Sequence, residues 1–414
     1  MGRNLKTNRW TMALPFFLLC SPTPSLLGKT QEAVEESAPV PVVTEGSIEV
    51  ELGDVASLED LLSLVRDRSP QILTAEAKIR TAQAELEAAN PSLQSRLRMA
   101  DTLVRQGEKE FALRTAIAER AQLVTTLQVQ AANLWCSLGA ATRGEEVARE
   151  QEKVLQTLLE RAESMRRINE GAAVLVEAVT GEVQGRKYAQ MKLQRIQVSV
   201  KNQLQFLIGD SKGKTQFNSK ETQVPLKLNV SREDTELLLS RLNDNGPGII
   251  ELGAIVDVAR DTHERAGRAG RDGFMGQILP WIPGTQGIRG RNDAYRAAQQ
   301  DVANSIGDQA SVAMDEVRAK MAVLVREAHE AIRQGDSELK SATEQIKRAQ
   351  EAYRLNDLRL KMNVQGASTA EVLTSLNGLE KAQMNYFASL SDYNFAQARL
   401  AAILGDLKRT PPSR

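Results

Sequence analysis

Residues 351–405 read EAYRLNDLRLKMNVQGASTAEVLTSLNGLEKAQMNYFASLSDYNFAQARLAAILG. A helical run holding Tyr353, Arg354 and Arg359 breaks at Asn363-Val364-Gln365-Gly366. The small and hydroxylated Ala367, Ser368 and Thr369 follow, and a second helical run closes on Leu400-Ala401-Ala402-Ile403-Leu404-Gly405. Glycine tolerates the positive φ that ends a helix, so the stretch predicts a helical hairpin bent near Gly366 and ended at Gly405.

Upstream, Leu339, Ile346, Tyr353 and Leu360 recur every seventh residue, with Ala342, Ala349, Asn356 and Asn363 three positions later. That is a coiled-coil seam of alternating large and small layers. Ala148, Leu155 and Ala162, with Gln151, Leu158 and Met165, give a second seam. No proline falls between Pro91 and Pro225 or between Pro283 and Pro411, which suits very long helices, since an interior proline costs about 3 kcal/mol. One helix from Asp293 to Asn363 would be roughly 105 Å long at ~1.5 Å per residue. A helix of that length needs neighbours along its whole length.

The chain repeats itself. Leu61-Leu62-Ser63, Asp67, Pro70 and Ile72 return as Leu238-Leu239-Ser240, Asp244, Pro247 and Ile249, a constant shift of 177 (238 against 61, 249 against 72). Gly171-Ala172 returns as Gly366-Ala367, and Leu204 with Gly209-Asp210 returns as Leu400 with Gly405-Asp406. Each copy reads short helix, proline, long helix, glycine tip, returning helix, glycine. The expected fold is all-α. Two tandem long antiparallel helical hairpins, with few short strands, form staves of an oligomeric α-barrel.

The motifs that carry this reading are Gly366, Ser368, Glu371-Val372-Leu373, Asp392-Tyr393-Asn394, Ala396 and Gly405. Over residues 57–405 the chain resembles the outer membrane efflux protein (TolC-like) family. The resemblance implies a homotrimer and a passive conduit for efflux or type I secretion, not an enzyme, working with a periplasmic adaptor and an inner-membrane pump and without a cofactor. It places the protein at the cell outer membrane, mainly on its periplasmic side. It departs where family members usually insert a strand pair in each copy. The corresponding stretches, Glu85–Ala116 and Gly267–Asp293, read as too poor or too short for two membrane strands of ~9–11 residues, so the β-barrel segments are expected to be missing or vestigial. The alternative is a periplasmic coiled-coil scaffold that conducts nothing.

Residues 1–28 read as an export signal, with Arg3, Lys6 and Arg9 ahead of the apolar Met12–Cys20, a run far short of the ~20 residues that span a bilayer. Cys20 is a candidate lipidation site, although Phe17-Leu18-Leu19 lacks the small residue usual before such a cysteine. Residues 29–56 read as a linker ending in a short strand at Ile48–Leu52, and Ser57 as the N-cap of the first helix. The first hairpin repeat is assigned to 57–210, a linker to 211–233, the second repeat to 234–406 and a tail to 407–414. The alternation of Val224, Leu226, Leu228 and Val230 predicts a strand or two packed outside the helices.

With 53 basic and 53 acidic residues in 414, two histidines and two cysteines, bulk attraction to nucleic acid, a zinc site and a disulfide framework lack material. Gly209-Asp210-Ser211-Lys212-Gly213-Lys214-Thr215 imitates a phosphate loop with one residue too few, after a helix instead of a strand. His263 and His329 read as exposed helix residues, and Cys136 as a packed, inert thiol. The resemblance makes Asn169, Gly171, Ala172 and Ala173, with Asn363, Gly366, Ala367 and Ser368, the tips that dock the adaptor; as plain sequence they are helix turns. It makes Glu177 and Glu371 pore-constriction candidates; otherwise they are solvated helix positions. Phe274, Ile278, Leu279, Trp281 and Ile282 form an apolar loop whose tryptophan suits a membrane surface or the helical body equally.

Overall fold

The computed structural model describes residues 54–89, 99–167, 173–226, 234–246, 249–269, 286–362, 364–365 and 368–405. Eight α-helices run through them: α1 Leu58–Arg68, α2 Pro70–Ala88, α3 Met99–Arg166, α4 Ala173–Leu207, α5 Thr235–Asn245, α6 Ile249–Ala269, α7 Gln286–Lys361 and α8 Thr369–Leu404. The order repeats, α1 to α4 against α5 to α8, as the 177-residue shift requires. At 76 residues α7 starts earlier than expected and spans about 114 Å at ~1.5 Å per residue.

Local chemistry sets the boundaries. Ser57 caps α1 by accepting the Asp60 N–H, and Glu59 and Asp60 occupy the first turn, where the helix dipole favours acids. Pro70 opens α2 at a position with no hydrogen bond to lose. Gly405 ends α8 at φ 72°, in the left-handed region.

The long helices pack as parallel columns. α3 lies against α2 over one part of its length and against α4 over another; α7 is covered in the same way by α6 and α8. α4 ends where α2 begins: a Cβ on Gly209, which sits at φ 71°, would lie 3.2 Å from the Arg68 carbonyl and 3.4 Å from the Pro70 ring. The α2/α4 pair is therefore one column in two pieces. α3 also packs on α6 and α8. The columns stand in the order α2/α4, α3, α6/α8, α7.

Four apolar clusters follow the columns. Ala118, Leu252, Ile255 and Ala310 join α3, α6 and α7. The broadest cluster sets α1 and the end of α4 on the middle of α3, around the fully buried Trp135, whose ring meets Phe217 edge-on at 6.4 Å. Leu238, Val325, Leu400 and Leu404 join α5, α7 and α8. The fourth lies at the hairpin ends and is described below.

The linker between the repeats corrects the sequence reading. Leu228, Val230 and the strand expected at Ile48–Leu52 lie outside the described residues. Val224 and Leu226 are in no strand, and the region forms a short 3-10 turn, Ser219–Gln223, with one isolated bridge between Val55 and Phe217. Nor does it lie outside the helices. Thr222 presses on α3 where Gly139 has no Cβ to obstruct it. From α8, the fully buried Asn394 accepts the Leu226 N–H (2.8 Å) and donates to the Thr222 and Val224 carbonyls (both 3.1 Å). One side chain occupies the groups a partner strand would have used, so an alternating sequence stays unpaired.

Nor do the insertion sites hold strands among the described residues. Helix runs to Ala88 and resumes at Met99, and runs to Ala269 and resumes at Gln286. Residues 90–98 and 270–285 lie outside the described residues. No described helix is long and apolar enough to cross a membrane.

Candidate functional site

The site lies where the two hairpins turn. Val179 and Val183 of α4 share an apolar cluster with Val372, Leu373 and Leu376 of α8 and with Leu155 and Leu158 of α3. Tyr353 and Leu360 of α7 pack against it. All four columns contribute, so both hairpins turn at the same end of the molecule. The seam residues Ala148, Leu155, Ala162, Gln151 and Leu158 are buried as the heptads require; Met165, one turn before the end, is 42% exposed.

The second hairpin re-enters its helix through a serine N-cap. Ser368 Oγ accepts the Glu371 N–H at 3.2 Å, and the Glu371 carboxylate stands 3.9 Å from the Arg359 guanidinium. α7 closes with the Val364 N–H on the Arg359 carbonyl at 3.0 Å. Glu177 and Glu371 are both solvent-exposed within the chain, so neither is committed to the apolar cluster. Ala173 begins α4 and is half-buried. Asn169, Gly171, Ala172, Asn363, Gly366 and Ala367 lie outside the described residues, as do Phe274, Ile278, Leu279, Trp281, Ile282 and Cys20.

Beside this cluster, a polar strut ties the two returning helices. Arg186 of α4 donates to Asn377 Oδ1 (2.6 Å) and pairs with Glu380 of α8 (2.7 Å) and, more loosely, with Glu182 (3.5 Å). Asn377 donates in turn to Glu182 (3.2 Å). Burial raises the Glu380 carboxyl above its ordinary range; Arg186 opposes the rise and Glu182 adds to it. Sequence reading missed this strut and the Asn394 clamp. The Asp392-Tyr393-Asn394 motif signalled a special position without signalling its partners.

A second polar layer joins α3 and α4. Burial alone would raise Glu145, but hydrogen bonds from Gln194, Gln197 and Arg149 bring it below the usual carboxylate range. The remaining candidates are structural. Asp210 fills the phosphate-loop mimic with its own carboxylate, accepting from the Lys212 and Thr215 N–H groups and the Thr215 hydroxyl. Burial, with Glu221 and Asp392 nearby, pushes the Cys136 thiol up to about 12. The histidines are half-buried rather than exposed: His329 meets Thr235 (3.1 Å) and His263 meets the Gln300 carbonyl (3.3 Å).

No family model and no curated protein sequence matches the chain. Solved structures do. The chain is similar to CusC, a transmembrane-channel protein, at 15% identity and TM-score 0.62, over 90% of this chain and 99% of that one. The open state of the Neisseria gonorrhoeae MtrE outer membrane channel aligns at 15% identity and TM-score 0.57, over 84% and 88%. The Campylobacter jejuni CmeC outer membrane channel aligns at 12% identity and TM-score 0.60, over 93% and 95%. The chain has the fold of the outer membrane efflux channels.

Proposed function

We propose that this protein is a TolC-like conduit subunit at the periplasmic side of the outer membrane, passing cargo passively for an efflux or type I secretion system. The observation that carries the reading is the four-column wall with both hairpin turns at one end. Among the described residues such a wall does not close on itself, because α2/α4 and α7 are both left with an uncovered side, and three copies would complete a tube. The turning ends, from Ala173 and Ser368, are the docking surface for a periplasmic adaptor that couples the tube to an inner-membrane pump. Glu177 and Glu371, exposed in the single chain, converge at the narrow entrance when three copies meet. The poor strand pattern of 85–116 and 267–293 in the sequence favours contact with the outer membrane surface over a strand pass through it.

The test is the mass and conductance of the protein freed of residues 1–28. A trimer by light scattering that carries ionic current in a planar bilayer supports the reading. A trimer without current turns it into a scaffold, and a stable monomer removes it.

A further inference from the structure

The wall has one dressed face and one bare face. We propose that the bare face lines the lumen and that Lys381 forms a cationic ring there, beyond the Glu177 and Glu371 entrance, at which the conduit favours anionic groups on its cargo. This rests on the conduit reading above and adds the charge that the tube prefers.

α1, α5 and the linker dress one face. α1 and the 3-10 turn lie on α3, the turn also touches α8, and α5 lies on α7 and α8. α3 and α8 are bare about half a turn away from this dressing. Between Val124 and Leu138, α3 exposes only Thr126, Gln130 and Asn133. At about 100° per residue, Thr126 stands opposite the buried Trp135, and Gln130 opposite Gly139, where Thr222 presses. On α8, Asp392 is exposed and lies about 200° round the helix from Asn394, which clamps the linker.

The bare face is the inner one because the dressing does not fit inside. About a dozen columns spaced ~10 Å apart close a ring roughly 38 Å across between axes. A bore of about 28 Å is left once a helix width of ~10 Å is taken off. The α1 and α5 helices of three copies, each as wide again, would fill it together with their linkers.

Beyond Glu371 and as far as Asp392, the exposed positions of α8 fall on a single line: Thr374, Gly378, Lys381, Asn385 and Ala388. α3 flanks α8 along this stretch at Gln383 and Phe387, and α7 flanks it at Glu371 and Tyr393. The line that ends at Asp392 therefore keeps to the bare face. Its one charge between the two acids is Lys381, ten residues (371 to 381) or about 15 Å beyond Glu371. Glu380, beside it in sequence, is turned to Arg186 instead. α4 adds no negative charge at this height. Gln190 meets Glu152 and Gln151 meets Gln383, which levels α4 with α8, and from Val183 to Leu207 α4 carries five bases and no acid. On α3, Glu145 is taken up by Gln194, Gln197 and Arg149, and Glu152 by Gln190 and Lys187. Three copies of Lys381 thus set a positive ring in a water-filled bore, an arrangement that draws anions and phosphates into a pore.

The test is ionic current through the full chain in a planar bilayer under a potassium chloride gradient, with inorganic triphosphate as the anionic probe. Lys381→Glu is expected to move the reversal potential toward the potassium equilibrium value, and Asn133→Lys to move it the other way. Lys220→Glu, at an exposed position on the dressing, is expected to leave it in place. Triphosphate is expected to reduce the parent current, and Lys381→Gln to weaken that block roughly tenfold, the sum of three exposed ion pairs. A conducting parent whose reversal potential and block ignore Lys381 overturns the ring and leaves the conduit standing. A larger shift with Lys220→Glu than with Lys381→Glu overturns the assignment of the two faces. A parent that carries no current overturns the conduit and the ring together.

Discussion

Replacing Asn394 by leucine removes the side chain that holds the two repeats together through the linker. Three hydrogen bonds go with it: the Leu226 N–H and the Thr222 and Val224 carbonyls lose their partner. Val224 is 59% exposed, so its carbonyl can turn to water; Thr222 and Leu226 are buried. Two buried groups are left unmet, at about 1–3 kcal/mol each. Leucine returns some apolar burial, so the net loss is about 3 kcal/mol. Equilibrium urea unfolding followed by circular dichroism measures it, and hydrogen exchange locates it: protection should fall from Phe217 to Leu226 and persist in the middle of α3. Asn394→Asp should be worse near neutral pH, because it sets a buried carboxylate against two carbonyl oxygens. Unchanged exchange in the linker, with stability within about 0.5 kcal/mol of the parent, would refute the clamp, because that is the scatter of ordinary surface substitutions.

Ser368→Ala removes the α8 cap and should cost about 1 kcal/mol, read as faster proteolytic nicking beside Met362. Glu145 titrates below the usual range when folded, so its contribution is full above its unfolded pKa and fades as pH falls through the folded one. The stability gap between the parent and Glu145→Gln should therefore close on acidification in a series of thermal melts. Glu380 behaves oppositely. Its folded pKa is raised, so its ionised form disfavours folding near neutrality, and that penalty disappears as pH falls toward the unfolded value. Glu380→Gln should melt higher than the parent at pH 7 and equal to it in acid; a lower melt at pH 7 would mean that the Arg186 pair outweighs the burial. In bilayer recordings, Glu177→Gln with Glu371→Gln should weaken cation preference, and an unmoved reversal potential would place neither carboxylate at the constriction.

The hairpins, their glycine ends and the two-copy plan were legible because they are written locally. Heptads, the Ser57 cap, Pro70 and Gly405 each act on neighbours a few residues away. The linker was misread because its conformation is decided by Asn394, 168 positions from Leu226, and hydrophobic alternation carries no record of so distant a partner. The strut has the same character: Arg186 finds Asn377 191 positions away. Column order was invisible for a related reason, since a heptad shows that a face is covered but not which helix covers it. At the site, the apolar cluster that joins Val179 to Val372 was not read from the sequence, because it needs the two hairpins side by side. That Glu371 would stand next to Arg359 depended on how one hairpin folds back on itself.

The meeting of Gly209 with Pro70 has a mechanical consequence. Two rods butted end to end resist being pushed together, but neither forces the other to rotate. α4 and α2 meet there without sharing a helical turn, so a twist of α4 is not passed to α2 through continuous helix. α3, unbroken over 68 residues, has no such freedom. Along the hairpin a jointed column therefore lies beside a continuous one.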